Sequence, residues 1–446
     1  MKNNKSEYMR NTAKYLCLLL LLLPGCLFAQ EGITFNKYTL GEGITMKSNT
    51  DSYSMNLRGF VQTQSDTRFF EGGDDDTNAR FRMRRARLRL SGDAFKKKIT
   101  YVISADFCES LAGEEEANNL LKDAYIRYTP ISNWNITFGQ RSLGTDSREM
   151  VIGSNTLAFV DRSKLSSAFS TIREVGLFIE GTVRVGNNSY LRPSLIITDG
   201  DGSFSRGKRT GGLKYGGRIN YLPFGRFREF GEFRGADLVR ELTPKLSIGT
   251  SFSYNNATSD RRGGRTTGSI MYLDENEQPA LPSYSKFLAD FIFKYKGLSV
   301  LGEFAKTWAG VPNDIMYRVR NDGTLATTFD DENGERNVEK YVKGRMMLGS
   351  AYNIEASYLF PALYLVGARY THLKPDKDSY MNNTLYNNRR NFYEISAAKY
   401  LTRSHAVKIQ ASFIYIDAAN GSRNIYGNDM ENKNEMMLQT LLQVSF

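Results

Sequence analysis

The chain has 446 residues, with 59 Lys+Arg against 48 Asp+Glu and a net charge of +11, and it carries two His and three Cys. Mean hydropathy is −0.44 and the one long apolar run is Leu16–Leu23, so a helical membrane protein, which needs about 20 apolar residues per span, is excluded. So few His and Cys leave little from which to build a zinc, haem or thiol site, and neither metal nor cofactor is expected. A polar average with 12% aromatics instead fits a membrane β-barrel, whose spans alternate and look hydrophilic on any window average.

Residues 1–29 read as a signal peptide: cations from Lys2 to Lys14, the apolar core Leu16–Leu23, and Leu27-Phe28-Ala29 as the cleavage region. Cleavage after Ala29 leaves Gln30 first; the alternative is a lipoprotein signal acylated at Cys26, where Pro24 is awkward. Without 1–29 the net charge falls to +8 and Cys108 stands alone, so no intrachain disulfide forms. An exported, unstapled chain suits a Gram-negative envelope, and no nucleic acid partner is expected. Residues 30–51 are a periplasmic or lumenal segment and 52–446 the barrel.

Period 2 dominates the rest. Strands are expected near 52–66, 79–93, 98–108, 121–131, 134–141, 172–185, 189–198, 214–222, 245–255, 285–295, 298–308, 341–355, 362–372, 389–402, 404–418 and 435–446. That is about sixteen, an even number, as an antiparallel barrel with both ends in the periplasm requires. Connections alternate: short turns such as 93–97 and 296–297 read as periplasmic, long polar ones such as 109–120, 142–171, 256–284, 309–340 and 419–434 as extracellular. The exception is 223–244, long where a short turn is due. A β-sandwich or stacked soluble domains would show linkers, and with ten Pro and no Ser/Pro or Gly/Ser tract none appears. The fold class is therefore all-β: a transmembrane antiparallel barrel of about 16 strands with long extracellular loops.

Strand alternation decides which charges reach the lumen. In 79–93 the apolar Ala86, Leu88 and Leu90 face lipid, so Arg85, Arg87 and Arg89 face inward; the opposite register would put charge on the lipid face at about 2–4 kcal/mol each. Arg80, Arg82 and Arg84 then fall on the outward parity at the extracellular rim, unless a bulge near Arg84 turns both members of the Arg84-Arg85 pair inward. The same parity puts Arg58, Arg127, Arg184, Arg192, Lys214, Arg218, Lys343, Arg345, Arg369 and Lys408 inside, with Asp106, Asp123, Glu174, Glu180, Asp290, Glu303, Glu394 and Glu435. Rings of Arg and Lys are how anion pores select, and the Arg fork suits phosphate. The competing view is that these Arg only pair with neighbouring carboxylates; six Arg in ten residues argue against it here.

Loop 142–171, entered from Arg141, carries Arg148, Arg162 and Lys164 beside Glu149 and Asp161, and either folds into the pore as a constriction or lies outward against a neighbouring subunit. Phe446 ends an alternating strand, as the barrel assembly machinery recognises. Three motifs are set aside. Gly202–Arg209 nearly spells a P-loop but has Arg209 in place of Ser/Thr. Asp74-Asp75-Asp76 and Asp199-Gly200-Asp201-Gly202 complete no EF-hand. His372 and His405 have no nucleophile beside them, so no enzyme is expected.

The run Arg80-Phe81-Arg82-Met83-Arg84-Arg85-Ala86-Arg87-Leu88-Arg89-Leu90-Ser91-Gly92 resembles the arginine-rich second strand of the phosphate-selective porin O and P family. Leu121-Lys122-Asp123-Ala124-Tyr125, Phe138-Gly139-Gln140, Phe159-Val160-Asp161-Arg162-Ser163, Asp199-Gly200 and Thr243–Gly249 are similar in the same order, although Arg141–Asp146 departs from the Pro-Phe-type text that follows in many members. The resemblance implies a homotrimer of sixteen-stranded barrels, a third extracellular loop folded inward, a ladder of lumenal cations, and Arg84-Arg85, Asp123 and Arg162 as constriction candidates. Together, the anion pathway is expected along Arg58, Arg84, Arg85, Arg87, Arg89, Arg127, Arg218, Lys343, Arg345 and Arg369, and the constriction at Asp123, Arg141, Arg148 and Arg162. The function expected is an outer-membrane porin for passive diffusion of small, phosphate-like anions, in contact with lipid and lipopolysaccharide. The alternatives are a general or carbohydrate porin, or a non-conducting barrel for adhesion or partner binding.

Overall fold

The computed structural model describes residues 33–446 except 36–37, 51, 72–77, 109–119, 172, 201, 203–210, 260–270, 321, 331–333, 383–388 and 418–433. The signal peptide, Asp74-Asp75-Asp76, most of Gly202–Arg209 and residues 331–333 of the long connection 309–340 lie outside the described residues.

Period-2 sequence makes strands with one oily and one wet face. Among the described residues sixteen of them close on themselves: β1 Ser54–Phe70, β2 Asn78–Ala94, β3 Ile99–Asp106, β4 Leu121–Tyr128, β5 Trp134–Arg141, β6 Glu174–Gly181, β7 Tyr190–Thr198, β8 Lys214–Leu222, β9 Lys245–Asn255, β10 Ser283–Tyr295, β11 Leu298–Gly310, β12 Gly349–Leu359, β13 Tyr364–Pro375, β14 Asn391–Tyr400, β15 Val407–Ile416 and β16 Glu435–Ser445. Each pairs antiparallel with the next, and β16 pairs with β1 from Glu435↔Phe70 to Ser445↔Phe60, so no barrel strand is left as an edge. The expected count holds. On β16, Leu438, Leu442 and Val444 stand exposed on the outer face while Gln439 and Gln443 are buried inside, the reverse of a soluble domain. Tyr352, Tyr370, Tyr393 and Tyr415 form an outer row across β12–β15, with successive ring centroids 5.7, 4.9 and 6.2 Å apart, like an interfacial aromatic girdle.

Two short strands precede the barrel. Ile44–Ser48 pairs with the start of β1, and Ile33–Phe35 pairs back on it.

The twelfth strand differs from expectation, starting at Gly349 rather than near 341. Val338–Lys343 is instead a short helix whose N-cap Asn337 accepts from Lys340 N, 2.9 Å; Val338, Tyr341 and Val342 have helical, not strand, spacing. Lys343 pairs with Glu339 at 2.5 Å and Arg345 stacks on Tyr341, so neither is a lumenal strand residue. Arg184 also leaves the lumen: it donates to Gly186 O in a periplasmic turn.

Parity around the arginine run needs a larger correction. Gln62 pairs with Arg85 but Thr63 with Met83, so Arg84 is an inserted residue. This bulge shifts the facing of everything beyond it. Phe81, 88% exposed, and Met83 point to lipid, while Arg80 and Arg82 reach the lumenal Asp66 at 3.1 Å each and Arg84 reaches Asp161. Arg85, Arg87 and Arg89 face inward from below the bulge, so all six arginines share the lumen.

Two segments fill that lumen. From the extracellular end, residues 142–173 (loop L3, with helix α1 Lys164–Phe169) fold inward. From the periplasmic end, 223–244 also enters, with Glu232, Ala236, Asp237 and Glu241 buried. The sequence marked this second segment only as too long.

Candidate pore constriction

Loop L3 is polar, so its backbone and carboxylates must find partners inside the barrel; they tie it to the wall near its start and at its tip, and to itself in the middle. Near its start Asp146 accepts from Lys214 Nζ at 2.9 Å, Thr171 N at 2.8 Å and faces Lys286 Nζ at 3.2 Å. Burial alone would raise this carboxyl, but Lys214 and then Lys286 hold it below the usual range. In the middle, Glu149 accepts from Ser163 N (2.9 Å), Ser163 Oγ (2.5 Å) and Ser166 Oγ (2.6 Å), while Ser163 Oγ caps α1 by accepting from Ser166 N. At the tip, carbonyls of Ser154, Asn155, Leu157 and Ala158 accept from Gln62, Gln443, Lys408 and Gln410 of the opposite wall. L3 thus crosses the lumen, and the expectation of an inward loop holds over the outward alternative.

Open space remains between L3, segment 223–244 and the wall built by β1–β5 and β13–β16, as two chambers. The outer, about 770 Å³, is lined by ten Arg/Lys side chains and four carboxylates. The inner, about 880 Å³, is lined by eight Arg and three carboxylates. Six residues border both: Arg87, Ser142, Met150, Ser154, Arg162 and Arg173. These six mark the neck between the chambers, and half of them are arginines.

The three neck arginines are held differently. Arg87 donates to Asp106 at 2.7 Å and Ser154 Oγ at 3.0 Å. Arg173 donates to Asp123 Oδ1 at 2.8 Å. Arg162 donates to the carbonyls of Glu149 (3.0 Å) and Ile152 (2.7 Å) and bonds to no carboxylate among the described residues. Burial pulls the Arg162 guanidinium down to about 10, with Glu149 opposing, so it stays charged at neutral pH. In the outer chamber Asp161 meets Arg84 at 3.0 Å and Arg82 and Arg85 at 3.9 Å. Burial would raise its carboxyl; Arg84, Arg85 and Arg82 hold it well below the carboxylate range. In the inner chamber Arg58 and Arg89 are directly opposed across β1–β2, an arrangement of like charges that is unfavourable without an anion or water between them.

Of the expected residues, Arg84, Arg85, Arg87 and Arg369 line the outer chamber, Arg58, Arg87, Arg89, Asp123 and Arg141 the inner, and Arg162 both. Arg127, Arg218 and Arg148 line neither. Arg127 bonds Thr137, Arg218 is closed onto Asp290 at 2.6 Å, and Arg148 points away to Glu232 O at 2.6 Å. Sequence reasoning missed Arg173, which the expected strand 172–185 puts on the outward parity but which lies ahead of β6, together with Arg68, Arg80 and Arg82. His372 stacks on Tyr352 in the outer row at the extracellular end and His405 sits in a periplasmic turn, so the pair is split between opposite ends.

The sequence model described as phosphate-selective porin O and P matches residues 55–257. The resemblance is to that family. The matched stretch includes the arginine run, L3 and all six neck residues of this porin barrel. No curated protein matches the chain in sequence. Among solved structures the barrel is similar to OmpT of Vibrio cholerae in its trimer form (8% identity, TM-score 0.47, 88% of this chain and 100% of that one). It is also similar to the outer membrane channel DcaP of Acinetobacter baumannii (13%, 0.46, 90% and 99%) and to Salmonella typhi OmpF in complex with daunomycin (9%, 0.48, 88% and 98%). The family match and the closed barrel make this a Gram-negative outer-membrane porin channel.

Proposed function

We propose that this porin passes small anions, phosphate-like ones among them, by passive diffusion through the neck between the chambers. The carrying observation is that Arg87, Arg162 and Arg173 meet where the two chambers join, with an excess of cations on either side. The excess raises the local anion concentration. At the neck the arginine forks replace hydration oxygens. Asp106 and Asp123 already occupy Arg87 and Arg173, so a permeant ion shares rather than owns these donors, and each site stays weak enough to release it.

The remaining roles complete the proposal. Residues 1–29 are removed on export, and 30–51 stays at the periplasmic mouth, where Leu40, Gly41, Glu42 and Thr45 border the inner chamber. The Phe446 ring, exposed beside the β1–β16 seam, is available to the assembly machinery. The outer face meets lipid and lipopolysaccharide, and barrels associate as homotrimers, which cross-linking in membranes would detect. The deciding experiment is planar-bilayer recording across a KCl gradient, then with phosphate added. A reversal potential favouring Cl⁻, with current reduced by phosphate, supports the proposal. A large, weakly selective conductance indifferent to phosphate turns the chain into a general or carbohydrate pore, and no steady conductance into a barrel for adhesion or partner binding.

A further inference from the structure

The periplasmic segment 223–244 grips L3 at both ends of the stretch that supplies two neck residues and the carbonyls holding Arg162. At one end Arg148 Nη2 donates to Glu232 O at 2.6 Å and its guanidinium lies over the Phe233 ring, 5.9 Å from the centroid. At the other, Gly235 N donates to Thr156 O at 2.9 Å, and Ala236 packs with Ala158 and Phe159. Between these grips lie Met150 and Ser154, which border the neck, and the Glu149 and Ile152 carbonyls that hold Arg162.

The segment is itself fixed to the wall. Lys294 Nζ donates to the carbonyls of Arg234 (2.8 Å) and Ala236 (3.0 Å), Ser299 Oγ to Gly235 O (2.8 Å), and Gly297 N to Asp237 Oδ2 (2.8 Å). Glu232 takes Arg192 of β7 by its carboxylate while its carbonyl takes Arg148. Approach at Gly235 is so close that a Cβ there would lie 2.4 Å from Ala158 N and 2.9 Å from Thr156 O. Only glycine lets the two loops join.

We infer that 223–244 is the positioning element of the neck, and that Gly235 and Arg148 set selectivity without touching the permeant ion. Neither residue borders a chamber. This rests on the proposed anion pathway, and deepens it: the filter is a two-loop device, one loop carrying Arg162 and the other, from the opposite side of the membrane, holding it while adding Arg234 to the inner chamber's lining.

The test is single-channel recording of Gly235→Ala, Gly235→Val and Arg148→Met across a KCl gradient, with heat-modifiable gel mobility to check that the barrel folds. A methionine at 148 keeps the backbone anchor to Glu303 and removes the grip on Glu232 and Phe233 together with the guanidinium's hydrogen bond to Asn220 and its charge beside Asp290, while Gly235→Ala tests the grip with no change of charge. With the barrel folded, we expect conductance to rise about twofold or more, open-channel noise to grow, and the reversal potential to move toward zero, as a displaced filter residue dictates. Wild-type conductance, noise and reversal potential in a folded Arg148→Met channel overturn the inference, whether or not the glycine variants fold. If wild type itself shows no anion preference, the pathway reading fails alone, because conductance and noise still read the grip.

Discussion

Replacing Asp161 by Asn tests whether the outer arginines form an anion site whose occupancy the protein's own carboxylate limits. Asp161 lies 3.0 Å from Arg84 and 3.9 Å from Arg82 and Arg85, so an anion bound by these forks sits close to a fixed negative charge. At about 4 Å that repulsion is about 1 kcal/mol in water-like surroundings and about 4 kcal/mol at an effective dielectric of 20. The chamber opens to solvent, so the lower figure applies, and removing the charge should strengthen binding by about fivefold. Screening does not erase this, since the Debye length at 0.1 M salt is about 10 Å. The substitution is nearly isosteric and leaves the backbone bond from Arg369 to Asp161 O in place. In the bilayer, the phosphate concentration that halves the KCl current should fall by that factor, with gel mobility of the folded barrel unchanged. A half-blocking concentration within twofold of wild type would refute the reasoning.

Three further outcomes are expected. Arg85→Ala with Arg87→Ala should move the reversal potential toward zero while the barrel still folds; unchanged selectivity would reduce the arginine run to a solvated wall. In a Cys108→Ser background, Arg82→Cys should react with a membrane-impermeant thiol reagent and lose conductance, whereas Phe81→Cys should not react, because the bulge at Arg84 sets their facing; the opposite pattern would remove the bulge. Lys214 and Lys286 depress the Asp146 carboxyl in the folded state, so its anchoring of L3 is complete above the unfolded value near 4 and is lost as pH falls below it. Channel noise should therefore be flat from pH 7 to about 5 and rise only under stronger acid, and a rise already near pH 6 would contradict the assignment.

What the sequence made legible follows from what a bilayer demands. Lipid-facing strands must be apolar at every second residue, so alternations such as Met436–Phe446 located nearly all sixteen. The twelfth failed because Asn337 and the spacing of Val338, Tyr341 and Val342 code a capped helix turn, too short to register against a dominant period of 2. Within the arginine run, parity was right for Arg85, Arg87 and Arg89 and wrong for Arg80 and Arg82, since one inserted residue inverts all that follows and leaves no mark in composition. Arg173 was missed because its direction is set by Asp123 on another strand, not by alternation. For 223–244, length revealed an anomaly, but its path into the lumen depends on partners such as Lys294 and Ser299 that lie far along the chain.

The seam of the barrel constrains how the chain can fold. Phe446 N donates to Gly59 O and Gly59 N to Phe446 O, both at 2.8 Å, and the pairing runs on to Glu435 and Phe70. Every other barrel strand finds its partner next in sequence; this one joins residues separated by nearly the whole chain. Loop-closure entropy places such a contact late. Until it forms, the growing sheet carries two rows of unpaired amides and carbonyls, which hydrocarbon cannot satisfy. Insertion and closure must therefore be concerted, or an outside surface must shield the open rows until the two ends of the sequence meet.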